Sequence, residues 1–275
     1  MLSVVIITWN AQRDVKSCID SVMEATAYRR TEIIVVDNGS TDETLSILQR
    51  YGARIHLICL EKNRGVAVAR NIGLKKASGR YVWILDVDTI VNREAADGMV
   101  DYLDSHPECG LCACRLQSIE GEVQDSCRRL PYPVHKIRNL IASKTAGSVF
   151  WKSTHEKVKE KNEKQFYHKE MQSSQPFEVE YLIGACQLFR KIIVDEVGYL
   201  DENIFYGPED ADFCLRISRQ GYKMMCLPAI HIIHHYNRIS NKKICSPMTV
   251  SHIKGLFYFY CKHFFSTSNT HKKNG

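Results

Sequence analysis

The sequence has no long apolar run, and this argues against a membrane-spanning protein. Among its 275 residues, no run approaches the ~20 consecutive apolar residues that cross a bilayer as a helix. No basic segment precedes the first apolar run, so we expect no signal peptide. Two nucleotide-binding fingerprints are also missing: no G-x-G-x-x-G follows the first apolar run, and no G-x-x-x-x-G-K-[ST] occurs anywhere. The common dinucleotide-binding and P-loop classes therefore lose support.

Two paired cysteine clusters, as many zinc sites need, are lacking too, although the chain has eleven cysteines. Their odd number and their scatter through strand-like and helix-like segments indicate reduced thiols in a cytosol. Cys109, Cys112 and Cys114 are closely spaced enough to consider a zinc site. No second cluster follows, however, and residues 110–116 have the pattern of a strand. We interpret these cysteines as strand residues.

The positive charge of the chain is confined to one segment. The whole sequence has a net charge of +6. Residues 128–178 hold 11 Lys and Arg against 5 Glu, so this segment accounts for all of the excess. Such a concentration of positive charge indicates what kind of partner that segment binds.

The first 116 residues alternate between strand-like and helix-like patterns, which predicts an open, mostly parallel sheet flanked by helices. Asn10 and Asn92 are predicted N-caps, and Ser40–Glu43 has the pattern of a capping box. The predicted strands are residues 2–8, 32–37, 54–60, 81–86 and 109–116.

Polar residues stand at three of these strand ends. They are Thr8 with Asn10, then Asp37, then Asp86 with Asp88. Sheets of this kind bind ligands outside the carboxyl ends of their strands. Asp86 and Asp88 would share a face if extended, and paired carboxylates suit Mg²⁺ or Mn²⁺. Each residue alone could equally be a cap or a turn former.

The alternation of strands and helices stops at residues 117–180, which are predicted to form a basic, partly irregular excursion. Regularity returns with a predicted strand at 181–189, where Gly184 and Ala185 would let a ligand come close. A further strand, residues 222–227, is followed by three histidines. Imidazole can join carboxylates on Mn²⁺.

Two acids are predicted to lie in the first turn of a helix. Pro208 suits the start of a helix, and Glu209 and Asp210 follow it. The helix dipole favours ionised carboxylates there. Acids are also common in first turns for that stabilisation alone, so this position is not by itself a site.

The last helical pattern, residues 248–265, is rich in aromatic and aliphatic side chains. Lys254, Lys262 and His263 interrupt it, so it cannot span a bilayer. Two alternatives stay open: the helix lies on a membrane surface, or it packs against the domain.

Six segments in order resemble family 2 glycosyltransferases of the GT-A fold, close to the bacterial rhamnosyltransferase-like branch. The resemblance spans roughly residues 2–240. The long basic stretch before Gly184 is a departure of this sequence from the family pattern. The matching segments are Val4–Asn10, Val35–Asp42, Asn63–Gly65 with Ala69–Gly73, Asp86–Asp88, Gly184–Ala185, and Tyr206–Asp212 with Arg216.

The resemblance implies a role for each matching residue. Asp210 would be the general base, with Glu209 as its neighbour. Asp88 would ligate the metal with Asp86, and His234 would be a further contact, with His235 a weaker candidate. The residues implied at the nucleotide sugar are Thr8, Asn10, Asp37, Asn63, Arg70 and Asp86. The residues implied on the acceptor side are Gly184 and Ala185. Arg128 and Arg129 are expected there too, because they belong to the basic segment that precedes Gly184.

The resulting expectation is a GT-A domain over residues 1–240 and a C-terminal amphipathic helix and tail over 241–275. The domain would comprise a nucleotide-binding half (1–116), the basic excursion (117–180) and a catalytic half (181–240). The enzyme would use Mg²⁺ or Mn²⁺, a nucleotide-diphosphate sugar and a glycan acceptor linked to a lipid diphosphate. It would bind no nucleic acid.

Such an enzyme would be cytoplasmic, with an anionic membrane surface on the inner face of the plasma membrane as a candidate partner. Two other functions are considered. A nucleotidyltransferase also uses a nucleotide, a metal and acids, and a catalytically silent module could bind a nucleotide sugar or a glycan.

Overall fold

A parallel four-stranded unit forms one side of the protein. The computed structural model describes residues 1–131, 166–235 and 247–265. The strands lie in the order β3-β2-β1-β4, all parallel. The elements of this unit are β1 (Leu2–Thr8), α1 (Val15–Ala25), β2 (Thr31–Asp37), α2 (Thr44–Gln49), β3 (His56–Cys59), α3 (Val66–Lys76) and β4 (Tyr81–Asp86).

The same sheet continues beyond β4 with mixed strand directions, in the order β4-β10-β6-β11-β5. Strand β10 runs antiparallel to β4 and β6, whereas β11 runs parallel to β6. Strand β8 pairs with β11, and β7 and β9 form a separate ribbon. The elements are β5 (Thr89–Ile90), α4 (Arg93–Ser105), β6 (Cys109–Gln117), β7 (Cys127–Arg128), β8 (Phe177–Glu178), β9 (Tyr181–Leu182), β10 (Cys186–Arg190), α5 (Ile192–Val197), α6 (Glu209–Arg219), β11 (Lys223–His234) and α7 (Pro247–Tyr260), which a five-residue π-helical turn, Cys261–Phe265, extends.

The central strands are apolar along their whole length because helices cover both faces of the sheet. In β4, Tyr81–Leu85 are all buried, and Trp83 is fully enclosed. Continuous burial of this kind is typical of central parallel strands. Helix α1 instead buries one stripe, with Cys18, Ile19 and Val22 inside, as expected for a helix on the surface of a sheet.

The register of the sheet brings three predicted strand ends to one edge. Thr8 is paired with Asp37, and Ile7 is paired with Asp86. The chain leaves β1 for β2 on one side and returns to β4 on the other, so β1 and β4 flank a topological switch point. Such a switch point is where open α/β sheets bind ligands.

Two predicted helix starts are wrong, and one is confirmed. Asn10 does not cap α1, because that helix begins only at Val15. Asn10 instead has a φ of +50°, and its Oδ1 accepts hydrogen bonds from the amide and hydroxyl of Thr41. The predicted capping box does not form, because the amide of Glu43 donates to Gln12 and the amide of Ser40 donates to Asp37 instead. Asn92 caps α4 by accepting from the amide of Ala95.

Strand alternation does not unite Asp86 and Asp88, contrary to the prediction. Strand β4 ends at Asp86, and a two-residue turn carries Asp88. The hydroxyl of Thr89 donates to the carbonyl of Asp86 and the amide of His235 donates to the carbonyl of Asp88, both at 2.8 Å. The turn, fastened to β11, therefore places the second carboxylate.

Other predicted boundaries also shift. Residues 181–189 form two short strands, β9 and β10, separated at Gly184 and Ala185. Strand β11 extends to His234, so His231 and His234 lie in the strand, and only His235 follows it, as predicted. Cys109, Cys112 and Cys114 are buried in β6, as the strand interpretation predicted.

Some predictions fall on parts of the chain that the structure does not describe. The middle of the basic segment, residues 132–165, is one of them, and residues 236–246 and 266–275 are the others. Within the described ranges, no helix is both long and apolar enough to cross a membrane.

Candidate active site

Asp86, Asp88 and His234 meet where β4, the turn after it and the end of β11 come together. One ligand atom from each lies within 4.8 Å of the other two. Nε2 of His234 is 3.3 Å from Oδ1 of Asp88. Two carboxylates and an imidazole are a donor set that suits Mn²⁺ or Mg²⁺. The residues present therefore fit a divalent cation.

Gln124, which the sequence analysis did not single out, fixes the orientation of His234. Its Oε1 is 2.6 Å from Nδ1 of the imidazole, and its Nε2 donates to the backbone carbonyl of His234 at 2.8 Å. Because that carbonyl takes the amide NH₂, Oε1 faces the ring and accepts from Nδ1–H. In the neutral imidazole the lone pair is then on Nε2, which leaves this nitrogen available as a metal ligand. In the charged imidazole Nε2–H faces Asp88 and donates to it.

The electrostatics of His234 depend on the two aspartates. Burial disfavours the charged imidazole, but the hydrogen bond to Asp88 and the charges of Asp88 and Asp86 outweigh it and raise the pKa of His234. His235 faces away from this cluster, with Nδ1 3.2 Å from Oδ1 of Asp14. His231 lies opposite Arg115 in the sheet. Of the three histidines, His234 alone joins the acidic cluster.

Arg70 links the acidic cluster to the acid pair of α6. Its guanidinium is buried and lies 2.7 Å from Asp86, 3.3 Å from Glu209 and 2.9 Å from the carbonyl of Gly184. A Cβ at Gly184 would stand 2.2 Å from this guanidinium. The close approach predicted at Gly184 is thus to Arg70. Arg70 itself, predicted at the nucleotide sugar, lies between two groups of carboxylates.

The pKa values of these carboxyl groups follow from burial and mutual repulsion. Burial raises the pKa of Asp86, Arg70 opposes that effect, and the charge of Asp88 adds to it. Burial likewise raises the pKa of Glu209 to about 7, the charge of Asp210 adds to it, and Arg70 again opposes it. Arg70 therefore offsets part of the repulsion on both sides.

The two acids of α6 differ in what they contact. Glu209 is buried, and its Oε2 accepts from the amide of Gly207 at 2.5 Å. Asp210 is half-buried, and its Oδ2 accepts from the hydroxyl of Tyr181 and the amide of Gly184, both at 3.0 Å. Burial and the charge of Asp210 raise the pKa of Tyr181 well above its ordinary value, so the hydroxyl donates. Asp210 is the more accessible acid and is held in a fixed direction.

Thr8 and Asp37 form the polar end of β1 and β2. Oδ1 of Asp37 accepts from the hydroxyl of Thr8 at 2.9 Å, and both carboxylate oxygens accept from Ser40. Asp37 is almost fully buried, so these hydrogen bonds satisfy its carboxylate oxygens and fix their position at the edge of the sheet. Asn10 is exposed next to it and fixes the backbone of Thr41.

Asn63 shapes the loop that leads into α3. Its Oδ1 accepts from the side chain of Asn38 at 3.1 Å and from the amide of Gly65 at 2.9 Å. Gly65 has a φ of +89°, and a Cβ there would lie 2.7 Å from the carbonyl of Phe205. In this structure Asn63 therefore holds a turn, and that turn joins the loop before α6.

The β7–β9 ribbon brings Arg128 close to the contact partner of Asp210, and Arg129 is the next residue. Arg128 is paired in register with Tyr181, the residue that donates to Asp210. Nε of Arg128 donates to the carbonyl of Asp125 at 2.8 Å. Arg129 is half-exposed and forms an ion pair of 3.2 Å with Glu180. Positive charge thus borders the Asp210 side of the site.

A comparison with protein families identifies the chain. Residues 3–198 match the model of the family described as "Glycosyl transferase family 2". The chain belongs to this family and is a glycosyltransferase. The match covers the acidic cluster up to Asp88 and the Arg70 and Gly184 contacts, and it stops before α6.

Two relatives and one solved structure illustrate the similarity. The TuaG protein of Bacillus subtilis, named for teichuronic acid biosynthesis, is 37% identical over 106 residues, 38% of this chain and 42% of that protein. An N-acetylglucosaminyl-diphospho-decaprenol L-rhamnosyltransferase of Mycobacterium tuberculosis is 22% identical over 275 residues, 96% of this chain and 85% of that protein. The chain therefore spans less than half of the first relative and most of the second.

The solved structure is that of GalNAc-T7 with UDP, GalNAc and Mn²⁺. It aligns with a TM-score of 0.64 at 17% identity, over 95% of this chain and 50% of that one. This similarity shows the fold alone. The GT-A fold expected from the sequence motifs is confirmed.

Proposed function

We propose that this glycosyltransferase is metal-dependent and inverting, and that it moves a sugar from a nucleotide-diphosphate sugar to a hydroxyl group of a glycan acceptor. One observation carries the proposal: the cluster Asp86–Asp88–His234 and the acid pair Glu209–Asp210 lie on the two sides of one buried arginine, Arg70. A transfer reaction needs both a group that stabilises the leaving diphosphate and a base for the nucleophile.

The donor side is assigned to the carboxyl ends of β1, β2 and β4. Thr8, Asn10 and Asp37 would bind the nucleoside, with Asn63 shaping the neighbouring loop. Asp88, Asp86 and His234 would hold Mg²⁺ or Mn²⁺. The bound cation supplies Lewis-acid stabilisation of the charge on the departing diphosphate. Arg70 would keep Asp86 ionised and directed toward that position.

The acceptor side is assigned to Asp210. Its carboxylate accepts the proton of the acceptor hydroxyl while the oxygen of that hydroxyl bonds to the anomeric carbon. The bond from that carbon to the diphosphate oxygen breaks in the same step, so the configuration inverts. Tyr181 and the amide of Gly184 hold Asp210 in place. Glu209 would lie next to the base rather than serve as the base, because the amide of Gly207 and the guanidinium of Arg70 occupy the oxygens of Glu209.

The acceptor is proposed to be a glycan linked to a lipid diphosphate, in the biosynthesis of a surface polysaccharide. The Mycobacterium tuberculosis relative is named for a diphospho-decaprenol acceptor, and the Bacillus subtilis relative is named for teichuronic acid biosynthesis. Arg128, opposite the residue that donates to Asp210, carries charge that would attract a diphosphate, and Arg129 follows it in the chain.

The enzyme is further proposed to work at the cytoplasmic face of an anionic membrane. Helix α7 exposes an apolar stripe, Val250, Ile253 and Phe257, of which Phe257 is 68% exposed. Residues at this spacing share a helix face. An apolar stripe with adjacent basic residues suits a membrane interface. The opposite face of α7 packs on the domain through Phe259. The helix can therefore pack against the domain and lie on a membrane surface at the same time.

A panel of nucleotide sugars, scored by release of nucleoside diphosphate with an acceptor glycan, tests the central proposal. With the active donor, Asp210→Asn should lower turnover by about 10²–10⁴-fold, since it keeps the shape but cannot accept a proton. Binding of the donor should be nearly unchanged. Asp195→Asn, at an exposed acid of α5, is the matched control.

Three results would redirect the proposal. If Glu209→Gln is inactive and Asp210→Asn is active, the roles of the two acids are reversed. If Asp210→Asn keeps full activity, a nucleotidyltransferase is favoured, because that reaction needs no base on the acceptor side. If no donor in the panel is turned over but nucleotide sugars bind, the chain is a binding module.

Co-sedimentation with vesicles tests the membrane proposal. Binding should require anionic lipid and fall with salt, since each Lys or Arg near the surface contributes only about 1 kcal/mol. Phe257→Ser should weaken binding, whereas Ile192→Ser, at an exposed isoleucine of α5, should not. Equal binding to neutral and anionic vesicles at low salt would contradict it.

A further inference from the structure

The C-terminal segment Pro247–Phe265 contacts the chain on both sides of Asp210. Before Asp210, α7 packs on the loop that ends at Gly207: a Cβ at Gly255 would stand 2.4 Å from the carbonyl oxygen of Gly207. After Asp210, the π-helical turn reaches Asp212 with two side chains. The family match ends at residue 198, so these contacts come from outside the matched region.

Asp212 is the anchor of this contact. It lies in the first turn of α6 and is fully buried. Nζ of Lys262 and Nε2 of His263 both lie 2.7 Å from its Oδ1. Nδ1 of His263 lies 2.9 Å from a guanidinium nitrogen of Arg219, which can only donate. Nδ1 is therefore the acceptor, and Nε2–H donates to Asp212.

We propose that Lys262 and His263 are positioning residues for the transfer reaction: by holding Asp212 they fix the first turn of α6 and thereby the direction of the Asp210 carboxylate. The proposal rests on the proposed function, because it needs Asp210 as the base. Asp212 is separated from Asp210 by one residue, and its amide donates to the carbonyl of Pro208 at 3.0 Å. Movement of Asp212 therefore moves the turn that carries Asp210.

Charge compensation alone does not account for the contact. Arg216, one helical turn along, already pairs with Asp212, its Nε lying 2.8 Å from Oδ2. Lys262 also bonds Asp201 at 2.6 Å, and the hydroxyl of Tyr258 donates to the same carboxylate at 3.1 Å. The segment thus fastens α6 to the loop that precedes it, and that loop supplies the amide of Gly207 to Glu209.

His263→Leu in the full-length chain tests the proposal, because Lys262 and Arg216 still compensate Asp212 and the protein should fold. We expect turnover to fall about 10- to 100-fold, on the order of the loss that follows a 1 Å misplacement of a reacting group. Mn²⁺ affinity, measured by titration with the metal alone, should stay within about twofold, since the acidic cluster is separate. His263→Gln, whose amide can donate to Asp212, should restore most of the turnover.

Two further variants keep the test independent of folding. Gly255→Ala, which introduces the Cβ clash with Gly207, should lower turnover without changing Mn²⁺ affinity. Tyr51→Phe removes a partly buried hydrogen bond to Asp20 away from the site and is the control for general destabilisation.

The outcomes separate this proposal from the proposed function. Turnover unchanged in both His263→Leu and Gly255→Ala, with Asp210→Asn inactive, overturns the positioning role alone. A parallel loss of turnover, Mn²⁺ affinity and melting temperature in His263→Leu, without recovery in His263→Gln, also overturns it. An active Asp210→Asn variant overturns the proposed base itself.

Discussion

The two sides of the site are built by different means. On the donor side, Thr8, Asp37 and Asp86 each end a parallel strand, and the register of the sheet alone aligns them. On the acceptor side, Asp210 is held by Tyr181 and Gly184, which are 29 and 26 residues away. Its helix is held in turn by His263, from the end of the described chain. The donor side follows from local pattern, and the acceptor side from long-range contacts.

This difference has a physical origin. Carboxyl ends of parallel strands must meet at one edge, so strand order and register place their side chains without further help. A helix N-terminus has no such partner and can rotate or shift until other elements fix it. The acceptor side therefore needs a larger set of contacts to hold one carboxylate in a productive direction.

The largest expected effect on turnover comes from removing a proposed metal ligand on the donor side. Asp88→Ala deletes a proposed metal ligand, and Lewis-acid stabilisation is worth several kcal/mol, which corresponds to a loss of turnover of about 10³-fold or more. Metal-dependent binding of nucleoside diphosphate, measured by calorimetry, should weaken in parallel. Asp101→Ala, at an exposed acid of α4, should match the wild type. Full turnover of the wild type in excess EDTA would contradict the prediction.

A second variant breaks the link between the two sides. Arg70→Met leaves the buried Glu209 and the partly exposed Asp86 without their shared counter-ion, and removal of one partner from a buried ion pair costs about 3–5 kcal/mol. The free energy of unfolding in urea should fall by this amount. Lys75→Met, on the same helix, loses an exposed pair with Glu202 and a contact with the ring of Tyr199, and such exposed interactions are worth about 1 kcal/mol or less each. Equal effects of the two variants would show that Arg70 is not a bridge.

The smallest expected effect sharpens the comparison within the donor side. Gln124→Met leaves all three proposed ligands intact but releases His234 from its orientation. Loss of such an outer partner typically weakens metal binding about 10- to 100-fold, which a Mn²⁺ titration measures directly. Gln49→Met, at an exposed position of α2, is the control. Unchanged affinity would mean that Gln124 does not orient the imidazole.

Several parts of the site were accessible from the sequence because they depend on local rules. Buried apolar strands, Asn92 as a helix cap, and acids in the first turn of α6 all appear as predicted. The errors concern turns. Asn10 and Ser40–Glu43 have the composition of helix caps, but side chains from neighbouring loops satisfy the backbone there instead.

The residues that sequence reasoning missed have no local signal. Gln124 lies in the stretch predicted to be partly irregular, and nothing near it indicates that it meets a residue 110 positions later. Tyr181 has the pattern of an ordinary strand residue. Arg70 was placed at the nucleotide by resemblance, whereas its neighbours in space come from β4, from the turn at Gly184 and from α6.

The sequence by itself determined the strand–helix alternation, the family and the polar strand ends, because these depend on side-chain periodicity and on short motifs. Only the tertiary structure decided that Asp88 joins Asp86 through a turn, that Arg70 separates the two groups of acids, and that the C-terminal turn holds Asp212. Those contacts join residues far apart in the chain, and burial of charged groups makes their pairing specific: an unpaired buried charge is too costly to leave.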